Sequence, residues 1–241
     1  MSYDKRGTID LNADLGEGCG WDEPLLGLVT SAAISCGAHA GHPDEILRTL
    51  SIAADRGVAI GAHPGYPDRE HFGRRPREID ADGARSLVLD QVETLAALAF
   101  RAGPPLRFLK PHGALYNQAQ DDDAVAAGVV AAAKELELPI LGLPGAAVER
   151  QAVEQGVRFI AEGFADRRYR PGGRLVPRGE PGAIIDDPTL MSLQVIELVE
   201  GRRVQTLCLH GDDPGAVALA GRVRGILERQ AIEPRAFASW A

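Results

Sequence analysis

A short motif occurs twice in this chain, about 24 residues apart. Gly37-Ala38-His39-x-Gly41-x-Pro43-Asp44 matches Gly61-Ala62-His63-x-Gly65-x-Pro67-Asp68. In each copy an apolar run gives way to histidine, glycine and proline. Such residues make a poor core but a good pocket wall on a rigid strand. The spacing is close to one strand, one loop and one short helix. It therefore predicts two equivalent strand ends, each presenting the same histidine. The second copy belongs to Val58–Pro76, where Tyr66, His71, Arg74 and Arg75 crowd a single loop.

The rest of the chain follows the same rhythm. Ile9–Ala13, Ala32–Cys36, Val58–Ala62, Arg107–Pro111, Pro139–Leu143, Val157–Ala161 and Thr206–Leu209 are short apolar runs, as expected for strands buried on both faces. Between them, apolar residues recur at helical spacing, as in Ile46, Leu50 and Ala53, or Val88, Val92, Leu95 and Ala99. After Asp121, Val125, Val129 and Ala132 mark another helix. This alternation argues for a parallel sheet with right-handed crossovers. Seven strand–helix units in 241 residues suit an α/β fold: an irregular seven-stranded parallel (β/α) barrel, with a doubly wound open sheet as the alternative. No linker or shift in composition divides the chain, so residues 1–241 read as a single barrel domain. Arg170–Pro188, rich in Gly, Pro and Arg, reads as a lid or binding loop. Asp213-Pro214 reads as the cap of the last helix, and the tail beyond that helix as surface.

Charge narrows the function. With 26 basic and 34 acidic side chains the net charge is −8, which disfavours nucleic acid or an anionic membrane as partner. Cys19, Cys36 and Cys208 lack framework spacing and read as reduced thiols of a cytoplasmic protein. No apolar run reaches the length of a membrane span.

The chemistry-bearing residues are unevenly placed. Asp14, His39, His63, Lys110, His112, Glu162, His210 and Asp212 follow the C-terminal ends of strands, and the opposite ends carry nothing comparable. Active sites of such barrels lie on that face. One strand-end histidine is as often structural as functional, but four on one rim favour a site. Asp14 and Glu17 form a carboxylate pair for acid–base work or a loop-stabilising turn; Asn12 and Asp14 leave one strand end together. Lys110 beside His112 is placed to meet an anion. Arg167, Arg168 and Arg170 are either a solvated cluster or a clamp for a carboxylate or phosphate. His42 and His71 read as solvated or capping residues, and Asp68 has no evident helix to cap. Gly16-x-Gly18-x-Gly20 is interrupted by Trp21, and neither a P-loop nor a nucleophile elbow is present, so these residues alone give no reason to expect a nucleotide. The histidines and acids could converge on a divalent metal, but no His-x-x-x-His or His-Glu-x-x-His spacing demands one.

Taken together, several segments carry a family resemblance. Asp10–Glu17, Cys36–Gly41, Gly61–Asp68, Phe72–Arg75, Lys110–Asn117, Glu162–Tyr169 and His210-Gly211-Asp212-x-Pro214 resemble the LamB/YcsF family, in order, from about Ile9 to Leu227. The resemblance implies a β/α barrel related to the glycoside hydrolase/deacetylase superfamily. It implies the A subunit of a prokaryotic ATP-dependent 5-oxoprolinase, which opens the lactam of 5-oxo-L-proline to L-glutamate with ATP hydrolysis. Subunits B and C are the implied partners and ATP the implied co-substrate. On this reading Asp14, His39, His63 and His112 are catalytic. Asn12, Glu17, Lys110, Asn117, Glu162, Asp166, Arg167, His210 and Asp212 hold substrate or phosphate. Where relatives commonly carry Asn, Ala, Phe and Asp, this chain has Ala33, Ser35, Ala38 and His42. Two other readings stay open: a metal-dependent deacetylase or amidohydrolase using Asp14 and two histidines as ligands, and a non-catalytic subunit of the same complex.

Overall fold

The first strand, β1 (Thr8–Leu15), alternates in character. Ile9, Leu11, Ala13 and Leu15 belong to the main hydrophobic core, while Asp10, Asn12 and Asp14 bond to side chains of other strands. Successive strand residues face opposite sides. The apolar side of β1 therefore packs outward on helices, and its polar side looks into the interior of a barrel. β7 (Thr206–His210) does the same: Leu207 and Leu209 join the core, and Thr206, Cys208 and His210 make polar contacts inside. This corrects the expectation of uniformly apolar strands.

The computed structural model describes residues 7–201, 204–212 and 214–237. The remaining barrel strands are β2 (Ser31–Ser35), β3 (Ala59–His63), β4 (Leu106–Leu109), β5 (Ile140–Gly142) and β6 (Phe159–Phe164). They follow one another in order around the sheet, every pair parallel, and β1 pairs with both β7 and β2 to close it. The seven-stranded barrel expected from the sequence is the fold observed.

The helices occupy the connections. After a short α1 (Asp22–Leu26), α2 (Pro43–Asp55) starts at Pro43 with His42 as its cap and buries Ile46, Leu50 and Ala53. α3 (Ala81–Ala102) is anchored by the Asp80 carboxylate, which accepts from the Gly83 amide. The connection after β4 holds two helices, α4 (Gly113–Asp121) and α5 (Asp123–Glu135), where the sequence pattern showed only the second. α6 (Ala147–Gln155), α7 (Pro188–Glu200) and α8 (Ala216–Arg229) complete the outer layer. The cap position of α8 is Gly215; Asp213 lies outside the described residues. Among the described residues no helix is long and apolar enough to cross a membrane.

The sequence had suggested that the tail beyond α8 is surface, but its described part, up to Phe237, runs inward. Glu233–Pro234, β8, pairs with the start of β1 and leads Phe237 inward, where it is fully buried. Phe237 meets Phe108 edge-on, ring centroids 5.2 Å apart, within an inner cluster that includes Ala33, Leu141 and Ile160. Gly61 makes room for it: a Cβ there would stand 2.3 Å from the Phe108 ring.

Candidate active site

The duplicated motif does not produce two equivalent strand ends. In the β2–β3 register Ser35, not His39, lies opposite His63. His63 is the last residue of its strand, whereas His39 comes four residues after β2 on a loop that turns back. Gly41 permits that turn, with φ +79° and no room for a Cβ beside the Gly16 carbonyl. The two rings still meet, 5.7 Å apart, because the loop folds over the barrel mouth. His112, the cap residue of α4, stacks on His39 at 3.8 Å.

These three rings surround Glu17. Its Oε1 lies 3.1 Å from His39 Nε2, 3.4 Å from His112 Nδ1 and 3.9 Å from His63 Nε2. His63 Nδ1 is 2.8 Å from the Lys110 carbonyl, and His112 Nε2 is 2.8 Å from the Phe72 carbonyl. A carbonyl can only accept, so both of these ring nitrogens carry hydrogen. The remaining nitrogens, His63 Nε2 and His112 Nδ1, face each other at 2.9 Å. In neutral rings these would be two lone pairs in contact. With both rings neutral, one of them must give up its carbonyl bond to place a hydrogen between the two nitrogens, unless a cation sits there. Burial pushes His39 and His112 down to about 4 and His63 well below its ordinary range, and pushes Glu17 up to about 7. Glu17, His63 and His112 also present ligand atoms close enough together to hold a metal ion.

Lys110 defines the second half of the site. It follows β4 and points into the barrel, almost fully buried. Its Nζ lies 2.7 Å from Asp14 Oδ1, 2.8 Å from Glu162 Oε1 and 2.9 Å from Asn12 Oδ1. Cys208 Sγ is 3.1 Å away. An ammonium has three N–H groups, and three oxygens take them. The three N–H groups are thus engaged within the barrel, where Lys110 fixes Asp14, and the side chain also lines the cavity at which it was expected to meet an anion. Burial opposes charge on Asp14, but Lys110 and then His63 outweigh it and hold the carboxyl below the usual range. The same carboxylates keep Lys110 charged well above its ordinary range against the penalty of burial. Asp14 Oδ2 remains 3.6 Å from His63 Nε2.

Asn12 and Glu162 were also expected at the substrate. Both are fully buried beneath Lys110, where Asn12 Nδ2 donates to Glu162 Oε1 at 3.0 Å. His39 is fully buried as well, behind His112. None of the three lines the cavity above the site.

That cavity has a volume of about 710 Å³. Asp14, His63 and His112 open onto it from the barrel, and Asn117 and His210 from its sides. Arg170–Pro188, read from the sequence as a lid or binding loop, lines the cavity through Arg170, Arg174 and Arg178, and Arg167 lines it from the turn just after β6. The nearby arginines have carboxylate partners: Arg174 meets Asp121 at 2.6 Å, Arg170 meets Glu180, and Arg178 and Arg74 share Asp212. Asp166 is engaged with His210 Nδ1 at 3.2 Å. Arg167 differs. It is buried, gives one N–H to the Val176 carbonyl, and has no hydrogen-bond partner at Nε. No carboxylate ion pair to it occurs among the described residues. Arg168 is exposed. His42 is a solvated cap residue, as expected, while Asp68 precedes a single 3₁₀ turn without a side-chain cap bond and pairs with His71 at 2.9 Å.

Sequence reasoning overlooked Asp10. It is fully buried toward the other end of β1 and accepts from Thr30, Ser31 and Thr206. The start of the strands thus does carry buried charge. Thr206, Cys208 and Arg74 were likewise not assigned to the site. The period-two pattern Asp10, Asn12, Asp14 with Thr206, Cys208, His210 was the available signal.

The barrel fold recurs in solved structures of low sequence identity. A family 4 carbohydrate esterase from Streptomyces lividans shares the fold, with a TM-score of 0.51 at 12% identity over 95% of this chain and 92% of that one. Closer matches define the family. The LamB/YcsF family pattern matches residues 9–241. The A subunit of a 5-oxoprolinase from Methylococcus capsulatus is 46% identical over 97% of each chain. The crystal structure of a lactam utilization protein from Thermus thermophilus superposes with a TM-score of 0.88 at 38% identity, covering 95% of this chain and all of that one. This chain belongs to the LamB/YcsF family.

Proposed function

We propose that this chain is the A subunit of an ATP-dependent 5-oxoprolinase, which works in the cytoplasm with subunits B and C to convert 5-oxo-L-proline to L-glutamate. The relatives' names support the assignment. The observation that carries it is the pairing, across one cavity, of the ionised Asp14 and the histidine cluster with a buried arginine, Arg167, that lacks a carboxylate. Such a cavity suits a small anionic substrate whose carbonyl is to be attacked by water.

A lactam is a stable amide, and phosphorylation of its oxygen by ATP supplies the activation that hydrolysis needs. The residues of this chain do the rest. Arg167, with Asn117, holds the substrate carboxylate. Asp14, kept ionised by Lys110, and the adjoining His63–His112–Glu17 group orient water and take up its proton. His210, braced by Asp166, lines the same cavity and would meet the substrate ring.

A second reading rests on the facing nitrogens of His63 and His112. Glu17, His63 and His112 would hold a divalent cation there, which would polarise a carbonyl or a water molecule. Metal analysis of the purified chain distinguishes the two: one ion per chain supports the cation, and a metal-free chain that is active in the complex supports the shared proton. The main proposal is tested by ATP-dependent glutamate release from 5-oxoproline in extracts of the native host. Activity that disappears when the chain is removed and returns on complementation supports it; unchanged activity refutes it.

A further inference from the structure

We infer that Asp10 and Thr206 act as positioning residues for the reaction, through a one-way chain of hydrogen bonds that sets the orientation of Asn12 and thereby the seat of Lys110 against Asp14. The inference rests on the proposed 5-oxoprolinase reading for its kinetic consequences, but its geometry stands apart from that reading.

The direction of the chain follows from donor counting. Asp10 accepts three hydroxyl hydrogens: Thr30 reaches Oδ1 at 2.7 Å, Ser31 reaches Oδ2 at 2.8 Å, and Thr206 reaches Oδ2. Thr206 has one hydrogen, and Asp10 takes it. Toward Asn12 the Thr206 oxygen can therefore only accept, and it does so from Nδ2 at 2.7 Å. The other Nδ2 hydrogen goes to Glu162 Oε1. Both amide hydrogens are thus committed, and the amide oxygen is left facing Lys110 Nζ at 2.9 Å. The opposite amide orientation would set an NH₂ group against an ammonium in the buried interior, which is costly.

Asp10, Asn12, Ser31, Glu162 and Thr206 are fully buried, Lys110 and Asp14 nearly so, and Thr30 is partly exposed. Asp10 touches no cavity residue. A carboxylate without its own ammonium in the barrel interior is expensive unless it is well hydrogen-bonded, and here three hydroxyls surround it. The register supports the arrangement, since Asp10 lies directly opposite Thr206 and Asp14 opposite His210 on the paired strands β1 and β7. The polar interior of β1 is thus one connected element, in which the lower carboxylate orders the upper one.

Thr206→Val and Thr206→Ser provide the test. Valine keeps the shape and removes the hydroxyl, while serine keeps the hydroxyl. In the complete complex, Thr206→Val should lower kcat about tenfold or more with KM for 5-oxoproline within twofold of wild type, because Arg167 is untouched. Thr206→Ser should stay within twofold of wild type in both. Asp10→Asn should reproduce the loss, and the double variant should be no worse than either single one, as residues acting in one chain are not additive. Should Thr206→Val fail to fold, Asp10→Asn against Thr206→Ser makes the same comparison. A crystal structure of the variant chain reads the geometry without any activity: Lys110 Nζ should move away from Asp14 Oδ1. Wild-type kcat in Thr206→Val, equal damage in Thr206→Ser, or Lys110 unmoved would overturn the inference. An inactive wild-type complex would count against the oxoprolinase reading, and the variant crystal structure would still decide this one.

Discussion

His63 Nε2 and His112 Nδ1 stand 2.9 Å apart, while the other nitrogen of each ring is fixed by a backbone carbonyl. Two neutral imidazoles so held would press lone pair on lone pair. The pairing therefore offers a place for a shared hydrogen or a cation, beside Glu17, 3.4 Å from His112. From this pairing and its neighbours the following outcomes are expected.

Burial raises the Glu17 carboxyl from its ordinary 4.5 to about 7. The folded chain then holds that proton more tightly than the unfolded chain does. This stabilises the fold at low pH, and the contribution is lost as pH rises from about 4.5 to about 7. Glu17→Gln removes the dependence. Urea unfolding at several pH values should show the variant gaining on wild type through that window and levelling off above it. A gap that does not change with pH contradicts the buried, proton-holding Glu17.

Asp14→Asn keeps the shape of the side chain and removes its charge. Lys110 retains Glu162 and Asn12 as partners, so the fold should survive with a loss of about 1–3 kcal/mol, as for other weakened buried hydrogen bonds. Glutamate formation should fall by ~100-fold or more, the scale of lost general-base catalysis. A folded variant with full activity would remove Asp14 from the chemistry.

Arg167→Gln should act on binding. The substrate carboxylate loses its cation, but the Asp14 and histidine cluster is unchanged. KM for 5-oxoproline should rise by roughly 10-fold or more while kcat changes little, the signature of lost ground-state binding. Steady-state kinetics of the complex decide this, and a fall in kcat alone contradicts the assignment.

Phe237→Ala should affect stability without touching the site. Phe237 closes an inner cluster with Phe108, Ala33, Leu141 and Ile160, away from the cavity. Removing a buried phenylalanine side chain costs about 3–5 kcal/mol. Chemical denaturation should show that loss, with kcat per folded molecule unchanged. An unaffected midpoint would return the tail to the surface.

The barrel was legible because its seven strands are short buried runs separated by helical spacing, and local patterns of that kind survive tertiary context. The tail was not, since Ile232 and Phe237, separated by charged and small residues, carry neither helical nor strand periodicity. The duplicated Gly-Ala-His motif misled for a related reason: motif similarity aligns His39 with His63, while the strand register aligns Ser35 with His63. Convergence of the histidines was foreseeable from their place on one rim. Burial depth was not. Nothing local distinguishes Lys110, whose three N–H groups are all engaged inside the barrel, from a lysine that greets an anion. Asp10 was readable in principle, because Asp10, Asn12 and Asp14 alternate with Leu11 and Ala13 at a period of two. Taking β1 as an apolar run hid that alternation.

The most direct test of the account is a reconstitution. Purified subunits B and C are assayed for glutamate release from 5-oxo-L-proline with ATP, alone, with this chain, and with its Asp14→Asn variant. The account predicts glutamate only when the wild-type chain is present. Equal glutamate without the chain, or with Asp14→Asn in its place, would contradict it.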